Sequence, residues 1–246
     1  MNASSEQAGR AGRAEAPALP PRTADILDRL RGHTPGAVPV IDPFRTPQDE
    51  ALEKAAALTG RGFPAVILGG GDDPARPPHT SYASFTRHME PYVAAVKAAS
   101  GLPVLLDFPP CKGTGFPLVR GADAVLLPAR FGSPDVYHVW QSYLETVLTL
   151  PTRLAPEDWP GLVLAAALTP GDDLAGHADL ARRFGLDLVR LSARHAPLPP
   201  DAVRTVRQRL APHQLLLVQA DGNPAAYREA GADYVTFDGM TSPVRL

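Results

Sequence analysis

The 246-residue sequence contains a single cysteine, Cys111, so it can form no internal disulfide and no cluster of thiolate metal ligands. It lacks any apolar run that approaches the roughly 20 residues needed to span a bilayer. Neither sign of charge dominates, because 24 Lys and Arg are balanced by 26 Asp and Glu, which leaves a net charge of −2. These absences argue against a disulfide scaffold, a membrane-spanning protein and a nucleic-acid binder with a broad basic surface.

Several catalytic motifs are missing as well. No Gly-x-Ser-x-Gly elbow, Walker loop or Gly-x-Gly-x-x-Gly follows an apolar run, and no histidines have metal-ligand spacing. The first residues lack the apolar stretch of a secretory signal, so we expect a cytoplasmic location. The apolar fraction of 44% is that of a globular protein. The composition is therefore compatible with an enzyme.

Residues 1–22 differ in composition from the rest of the chain. They carry almost no large apolar side chains and end in Pro20-Pro21-Arg22. Such a segment cannot bury enough surface to offset the entropy of ordering it, so we predict a disordered tail. Residues 23–246 are predicted to form one domain.

Eight short runs rich in Val, Ile and Leu recur from residue 38 onward, each followed by a polar or glycine-rich break. Near-continuous apolar runs are typical of parallel strands that are buried on both faces. The runs are Val38–Asp42, Ala65–Gly70, Pro103–Phe108, Ala124–Ala129, Leu162–Thr169, Leu186–Leu191, Leu215–Ala220 and Asp233–Asp238. Helical spacing between most of them favours an α/β fold, a (β/α)₈ TIM barrel, over the alternative of an open doubly wound sheet. The predicted helices are Gln48–Thr59, Tyr82–Ala99, Asp135–Leu150, Leu174–Phe184, Ala202–Leu210 and Ala225–Ala230.

A Gly-x-x-x-Val pattern introduces every second strand, starting at Gly62, Gly121, Gly185 and Gly231. A glycine there can take positive φ and end the preceding helix, while the valine begins the buried strand. Four copies at alternate strands suggest that the barrel is built from four similar repeats, each a pair of strand–helix units.

Two places depart from the regular pattern. Residues 108–117 contain three prolines and two glycines, so the third outer helix should be missing. Only seven residues follow Gly239, which predicts a short or absent eighth helix. Without that helix, the outside of the eighth strand is left uncovered, and we call this gap the seam. It must be closed by the N-terminal segment, by a partner subunit or by residues outside this chain, and we expect a homodimer.

The active site of such a barrel collects at the carboxyl ends of its strands. Asp42 ends the first strand and is a natural Mg²⁺ ligand, with Asp72 or Asp73 as a possible second carboxylate. The alternative for Asp42 is a cap on the next helix. Strands three, four and five contribute Asp107, Arg130 and Thr169.

The later strands suggest an anion site. Arg190, Ser192 and Arg194 lie at alternate positions of strand six and should point the same way. Gly222 and Asn223 follow strand seven, and Gly239 follows strand eight. Barrels of this kind bind phosphate at these two places, so the three residues are predicted to contact the acceptor phosphate. Without the barrel, these Asp-Gly pairs would read as plain turns.

Four segments of the sequence resemble the geranylgeranylglyceryl phosphate synthase family. They are Ile41-Asp42-Pro43, the glycine-rich end of strand two, Leu102–Pro109 and Gly231–Val235. Residues 88–99, 115–129 and 165–169 are most similar to the branch that attaches a farnesyl chain to 3-phosphoglycerate in moenomycin-type phosphoglycolipid antibiotic biosynthesis. The resemblance covers about residues 25–239 and implies a TIM barrel without a regular third helix. It implies Mg²⁺-dependent transfer of a prenyl group from a prenyl diphosphate to a phosphorylated glyceryl acceptor.

The resemblance also implies roles for individual residues. Asp42 matches the aspartate associated with Mg²⁺ and diphosphate, and Gly69 and Gly70 match the diphosphate-side loop. Gly222 and Gly239 match the glycines that hold the acceptor phosphate. Where glycerol-phosphate enzymes of this family carry Tyr-x-Glu on strand six, this chain has Arg190-Leu191-Ser192.

The strand-six difference bears on the acceptor. A glutamate would repel the carboxylate of phosphoglycerate, whereas Arg190 or Arg194 could bind it, so 3-phosphoglycerate or a similar phosphorylated hydroxy-acid is the predicted acceptor. The alternative is that Arg190 pairs with a neighbouring carboxylate such as Asp221. Arg45 is a candidate for stabilising the leaving diphosphate beside Asp42. No general base is evident from the sequence.

Two other functional classes remain open from the residues alone. One is a phosphate-handling barrel isomerase or lyase, which would use the same glycines after strands seven and eight. The other is a non-catalytic barrel that binds a prenyl phosphate.

Overall fold

Eight parallel strands close into a barrel in the computed structural model of the chain. The strands are β1 Gly36–Ile41, β2 Val66–Gly69, β3 Val104–Asp107, β4 Ala124–Ala129, β5 Gly161–Leu168, β6 Leu188–Ser192, β7 Leu215–Gln219 and β8 Tyr234–Asp238. Each pairs with the next, and β8 pairs with β1. The predicted TIM barrel is therefore confirmed, and the open sheet is wrong. The structure describes residues 22–69, 82–107, 118–129, 131, 155, 158–192, 198–219 and 223–238.

Six helices are described along the same residues. They are α1 Arg22–Arg31, α2 Gln48–Leu58, α3 Tyr82–Ser100, α4 Leu174–Arg183, α5 Pro200–Arg209 and α6 Pro224–Glu229. All but α1 lie within two residues of the helices that the sequence predicts. The predicted helix Asp135–Leu150, the proline-rich segment 108–117 and residues 239–246 lie outside the described residues.

The strands separate two layers of core, because successive side chains point to opposite faces. Side chains such as Val38, Leu105 and Leu217 fill the barrel interior. The alternate side chains, such as Leu106 and Leu216, pack under the outer helices. Burial on both faces explains why the strands read as near-continuous apolar runs.

Three of the four repeated glycines start a connection in which an aspartate ties three strands together. Gly62, Gly121, Gly185 and Gly231 all have positive φ, as predicted. After Gly185, the Asp187 carboxylate accepts a hydrogen bond from Leu164 N–H of β5, and its carbonyl accepts one from Leu215 N–H of β7. Asp123 and Asp233 make the same two contacts at β4 and β8. Each aspartate therefore fixes the relative positions of three neighbouring strands at the amino end of the barrel.

Helix α1, which the sequence analysis did not predict, closes the amino end of the barrel. Ile26, Leu27 and Leu30 pack into the same cluster as the interior strand residues. The Tyr234 hydroxyl donates to the Leu30 carbonyl, and Thr23 Oγ1 accepts from Leu162 N–H at 2.9 Å. Both strand residues lie at the beginning of their strands, so the helix plugs the interior from below.

The position of α1 corrects one expectation and bears on a second. Arg22, assigned to the disordered tail, is the first residue of the helix; residues 1–21 lie outside the described residues. The N-terminal segment was also one candidate for covering the seam after β8. Its described residues 22–31 close the barrel bottom instead, and the expected homodimer stays a prediction.

We expect Leu30→Ala to lower the free energy of unfolding by about 2–5 kcal/mol, because it leaves a cavity beneath the barrel interior. Asp28→Ala, on the exposed face of the same helix, should change it by less than about 0.5 kcal/mol. Urea denaturation of both variants provides the comparison. Equal effects would show that α1 does not plug the barrel in solution.

Candidate active site

The interior of the barrel changes from apolar to polar toward the carboxyl ends of the strands. Inward positions near the amino end are occupied by residues such as Val38, Ile67 and Leu188. Among the described side chains, the inward positions nearest that end carry Asp107, Arg190, Ser192 and Thr236, all buried, and Gln219, which is partly buried. Strand β8 continues to one further inward position, Asp238, of which the backbone alone is described. A buried polar layer at this end is where barrels of this class bind their ligands.

An ion pair crosses this polar layer. Arg190 on β6 donates through Nη1 to Asp107 Oδ2 on β3. Arg190 is only 4% exposed and Asp107 7% exposed, so both charges are removed from bulk water. Burying either charge alone would be costly, and pairing offsets that cost. The sequence alternative for Arg190 was therefore right about a carboxylate partner, but the observed partner is Asp107; Asp221 lies outside the described residues.

Three neutral polar side chains form a second feature, which we call the acceptor-side row: Ser192, Gln219 and Thr236. Register pairs Ser192 with Gln219 and Gln219 with Thr236, so they stand side by side on β6, β7 and β8. Their inward direction follows from residues that lie an even number of positions earlier on the same strands and fill the interior: Leu188, Leu217 and Tyr234. The predicted shared direction of Arg190 and Ser192 is confirmed, while Arg194 lies outside the described residues.

Asp42 lies directly after β1, the strand that pairs with β2 on one side and with β8 on the other. Its Oδ1 accepts from Phe44 N–H at 2.9 Å, and its carbonyl accepts from Thr46 N–H at 2.9 Å. These bonds form a tight turn that fixes the carboxylate, whose side chain is 17% exposed. Helix α2 begins later, after Pro47, and has no side-chain cap. The alternative of Asp42 as a helix cap is therefore wrong.

Arg45 accompanies Asp42 at the edge of the barrel. Its Nε lies 3.9 Å from Asp42 Oδ2, and its side chain is 67% exposed. An exposed pair at this distance contributes little to stability. The guanidinium is instead well placed to reach an anion that approaches from solvent.

Tyr92 on α3 lies near this turn and is a conceivable acid or base. Its hydroxyl donates to the Thr46 carbonyl at 3.4 Å. Burial raises the pKa of the Tyr92 phenol well above its usual value, and the charges of Asp42 and Glu50 raise it further. The phenol is therefore protonated at neutral pH and supports the loop after β1 as a donor.

The end of β2 explains one of the predicted diphosphate-side glycines. A Cβ built on Gly69 would overlap the Asp107 carbonyl oxygen and lie 2.8 Å from Asp107 Cβ. Only glycine fits beside Asp107, so Gly69 makes room for the residue that pairs with Arg190. Gly70 and Asp72 lie outside the described residues.

Asn223, predicted to bind the acceptor phosphate, has a structural contact. Its Oδ1 accepts from Ala225 N–H at 3.0 Å and caps α6. Its neighbour Gly222, and Gly239 after β8, lie outside the described residues. The phosphate-binding role of these three residues stays a prediction.

The metal site rests on Asp42 alone among the described residues. No group of three His, Cys, Asp or Glu side chains within the described ranges is arranged to bind a metal ion. Mg²⁺ commonly takes one or two protein carboxylates and completes its shell with water and phosphate oxygens. A fixed, partly exposed carboxylate such as that of Asp42 fits this mode of binding.

Two features of the site were not assigned a role from the sequence. Asp107 was noted only as the polar end of strand three, and Gln219 and Thr236 were not singled out. Their alternation with inward apolar residues is visible in the sequence, but the pairing of Asp107 with Arg190 depends on closure of the barrel.

Solved structures share this fold. The wild-type geranylgeranylglyceryl phosphate synthase of Thermoplasma volcanium superposes with a TM-score of 0.65 at 19% identity, covering 89% of this chain and 90% of that one. The (S)-3-O-geranylgeranylglyceryl phosphate synthase of Thermoplasma acidophilum, in complex with its substrate sn-glycerol-1-phosphate, gives 0.64 at 22% identity, covering 89% and 92%. Orotidine 5′-phosphate decarboxylase of Pyrococcus horikoshii gives 0.50 at 11% identity, covering 82% and 88%.

At these identities the comparisons establish the barrel fold. No protein-family model and no curated protein matches the sequence. Within the described residues, none of the helices has both the length and the apolar character required to cross a membrane.

We expect Gly69→Ala to lower the free energy of unfolding by about 1–3 kcal/mol, because the added methyl group overlaps Asp107. Gly171→Ala is the matched control, since a Cβ there meets no atom within 4 Å. Thermal or urea unfolding measures both. A Gly69→Ala protein as stable as Gly171→Ala would refute the close approach of β2 to Asp107.

Proposed function

We propose that this protein is a prenyltransferase that joins an allylic prenyl diphosphate to the hydroxyl of a phosphorylated glyceryl acceptor, with release of diphosphate. Farnesyl diphosphate and 3-phosphoglycerate are the proposed pair, and the product is an ether of the kind found in phosphoglycolipids. The shared fold with two geranylgeranylglyceryl phosphate synthases, one holding sn-glycerol-1-phosphate, supports the general reaction.

The observation that carries the acceptor assignment is the position of Arg190. Its guanidinium lies inside the carboxyl end of the barrel, beside the acceptor-side row. By sequence resemblance, Arg190-Leu191-Ser192 stands where glycerol-phosphate enzymes of this family carry Tyr-x-Glu. A guanidinium has five N–H donors in a planar fork, which suits a carboxylate in addition to Asp107. Glycerol phosphate lacks that carboxylate, whereas 3-phosphoglycerate has one.

The donor side is assigned to the turn after β1. Asp42 is the proposed Mg²⁺ ligand, and a bound Mg²⁺ would supply positive charge to the diphosphate. Arg45 adds a cation beside Asp42, where it can bind the same anion. The turn holds Asp42 through backbone hydrogen bonds and therefore orients its carboxylate before substrate arrives.

The reaction then follows from this separation of charges. The acceptor hydroxyl oxygen attacks the allylic carbon, the carbon–oxygen bond to diphosphate breaks, and the leaving diphosphate takes the electron pair. The hydroxyl proton passes to a base or to solvent. Residues at β1 stabilise the leaving group, while Arg190 and the acceptor-side row hold the acceptor.

An assay of purified full-length protein with farnesyl or geranylgeranyl diphosphate and either 3-phosphoglycerate or sn-glycerol-1-phosphate tests this proposal. We expect diphosphate release only when donor and acceptor are both present. The charge-assisted contact to Arg190 should favour 3-phosphoglycerate by about 10- to 100-fold in kcat/KM. Asp42→Asn should lower kcat/KM by about 100-fold, because the carboxylate that would hold Mg²⁺ beside the leaving diphosphate is lost.

Asp28→Asn, on the exposed face of α1 at the amino end of the barrel, is the control and should retain activity. Product mass identifies the prenyl chain and the acceptor. Preference for sn-glycerol-1-phosphate would contradict the acceptor assignment, and full activity of Asp42→Asn would contradict the metal role. If no pair releases diphosphate, the protein is a binding barrel or catalyses another phosphate-dependent reaction.

A further inference from the structure

We propose that Asp107 is a catalytic residue that accepts the proton of the acceptor hydroxyl during prenyl transfer. The inference rests on the proposed function and adds the general base that the sequence did not reveal. It also defines the acceptor more closely, as a phosphorylated acid whose hydroxyl group is adjacent to its carboxylate.

Asp107 lies between the donor side and the acceptor side of the site. Asp107 is the last residue of β3, and register places it beside Gly69 of β2, on the donor side. Its carboxylate contacts Arg190 of β6, on the acceptor side. The attacking oxygen and the allylic carbon must meet between these halves, where this ion pair lies.

Among the described side chains, no other group is suited to act as the base. The inward strand positions carry two carboxylates, Asp107 and Asp238. Asp107 contacts Arg190, whereas Asp238, the last residue of β8, is described in its backbone alone. Tyr92 has a raised pKa and donates to Thr46, so it cannot accept a proton at neutral pH. The acceptor-side row consists of hydroxyls and an amide, which are poor bases.

The Asp107–Arg190 pair is chemically complementary to an α-hydroxy acid. A guanidinium binds a carboxylate through charge-assisted hydrogen bonds, while an adjacent carboxylate accepts from a hydroxyl. A molecule with both groups on neighbouring carbons can therefore contact Arg190 and Asp107 together. Arg190 would also separate the two negative charges, which would otherwise repel each other.

The step balances without a further reagent. The acceptor oxygen forms a bond to the allylic carbon while the bond from that carbon to diphosphate breaks, and diphosphate leaves with the electron pair. The hydroxyl proton passes to an Asp107 carboxylate oxygen and then to solvent. Arg190 holds the carboxylate in place through this transfer.

The test compares Asp107→Asn with the wild type on 3-phosphoglycerate and farnesyl diphosphate. Asparagine keeps the size and an oxygen acceptor for Arg190 but is not a base. We expect kcat to fall by about 100-fold or more while KM for the acceptor changes by less than about threefold. Asp107→Glu restores a displaced carboxylate, so its kcat should lie between the two, still about tenfold or more below wild type.

The matched control is Asp233→Asn, which removes a carboxylate from another Asp–Arg pair, Asp233 with Arg207 at 2.9 Å. That pair lies at the amino end of the barrel, so the variant should lose stability but keep kcat. Circular dichroism and thermal unfolding establish that each variant is folded. The Asp107→Glu variant, which retains the charge, carries the test if Asp107→Asn does not fold.

The outcomes separate the two proposals. If the wild type transfers the prenyl group and a folded Asp107→Asn or Asp107→Glu protein has the same kcat, the assignment of Asp107 is overturned. The proposed function would then still stand. A wild-type protein that transfers no prenyl group to any acceptor would overturn the proposed function, and this assignment with it. A large fall in kcat for Asp107→Asn, a smaller one for Asp107→Glu and none for Asp233→Asn supports it.

Discussion

The buried ion pair between Asp107 and Arg190 is the interaction around which the carboxyl end of the barrel is organised. Removing one partner of such a pair typically costs about 3–5 kcal/mol, because the other charge stays buried. Strands β3 and β6 must therefore hold their registers for the pair to form. Gly69 makes room for Asp107, and the small Ala167 pairs with Arg190 in register on β5. The proposed acceptor contact, and the proposed base, both depend on this pair.

The strands and the outer helices could be predicted from the sequence, because burial on both faces produces continuous apolar runs and positive φ favours glycine. The four glycines from Gly62 to Gly231 show this, since their conformation follows from local chemistry. Helix α1 was missed for a physical reason. Its apolar face is short, and its stability comes from the barrel bottom, which exists only after the strands close.

The site was predicted in part. Alternation along β6 correctly places Arg190 and Ser192 on one face. The sequence singled out Asp42 as a metal ligand or a helix cap; it did not predict the turn that holds its carboxylate, and the metal role stays a prediction. The partner of Arg190 could not be predicted, because Asp107 is 83 residues away and meets it only across the closed interior. Sequence spacing also could not show that Asp42 supports its own turn rather than helix α2.

The most direct test of the account is a crystal structure of the protein with 3-phosphoglycerate and an unreactive farnesyl diphosphate analogue. The account predicts the acceptor carboxylate on Arg190, its hydroxyl within hydrogen-bond distance of Asp107, and the diphosphate beside Asp42 and Arg45. An acceptor bound away from Arg190, with the Asp107–Arg190 pair shielded from both substrates, would contradict it.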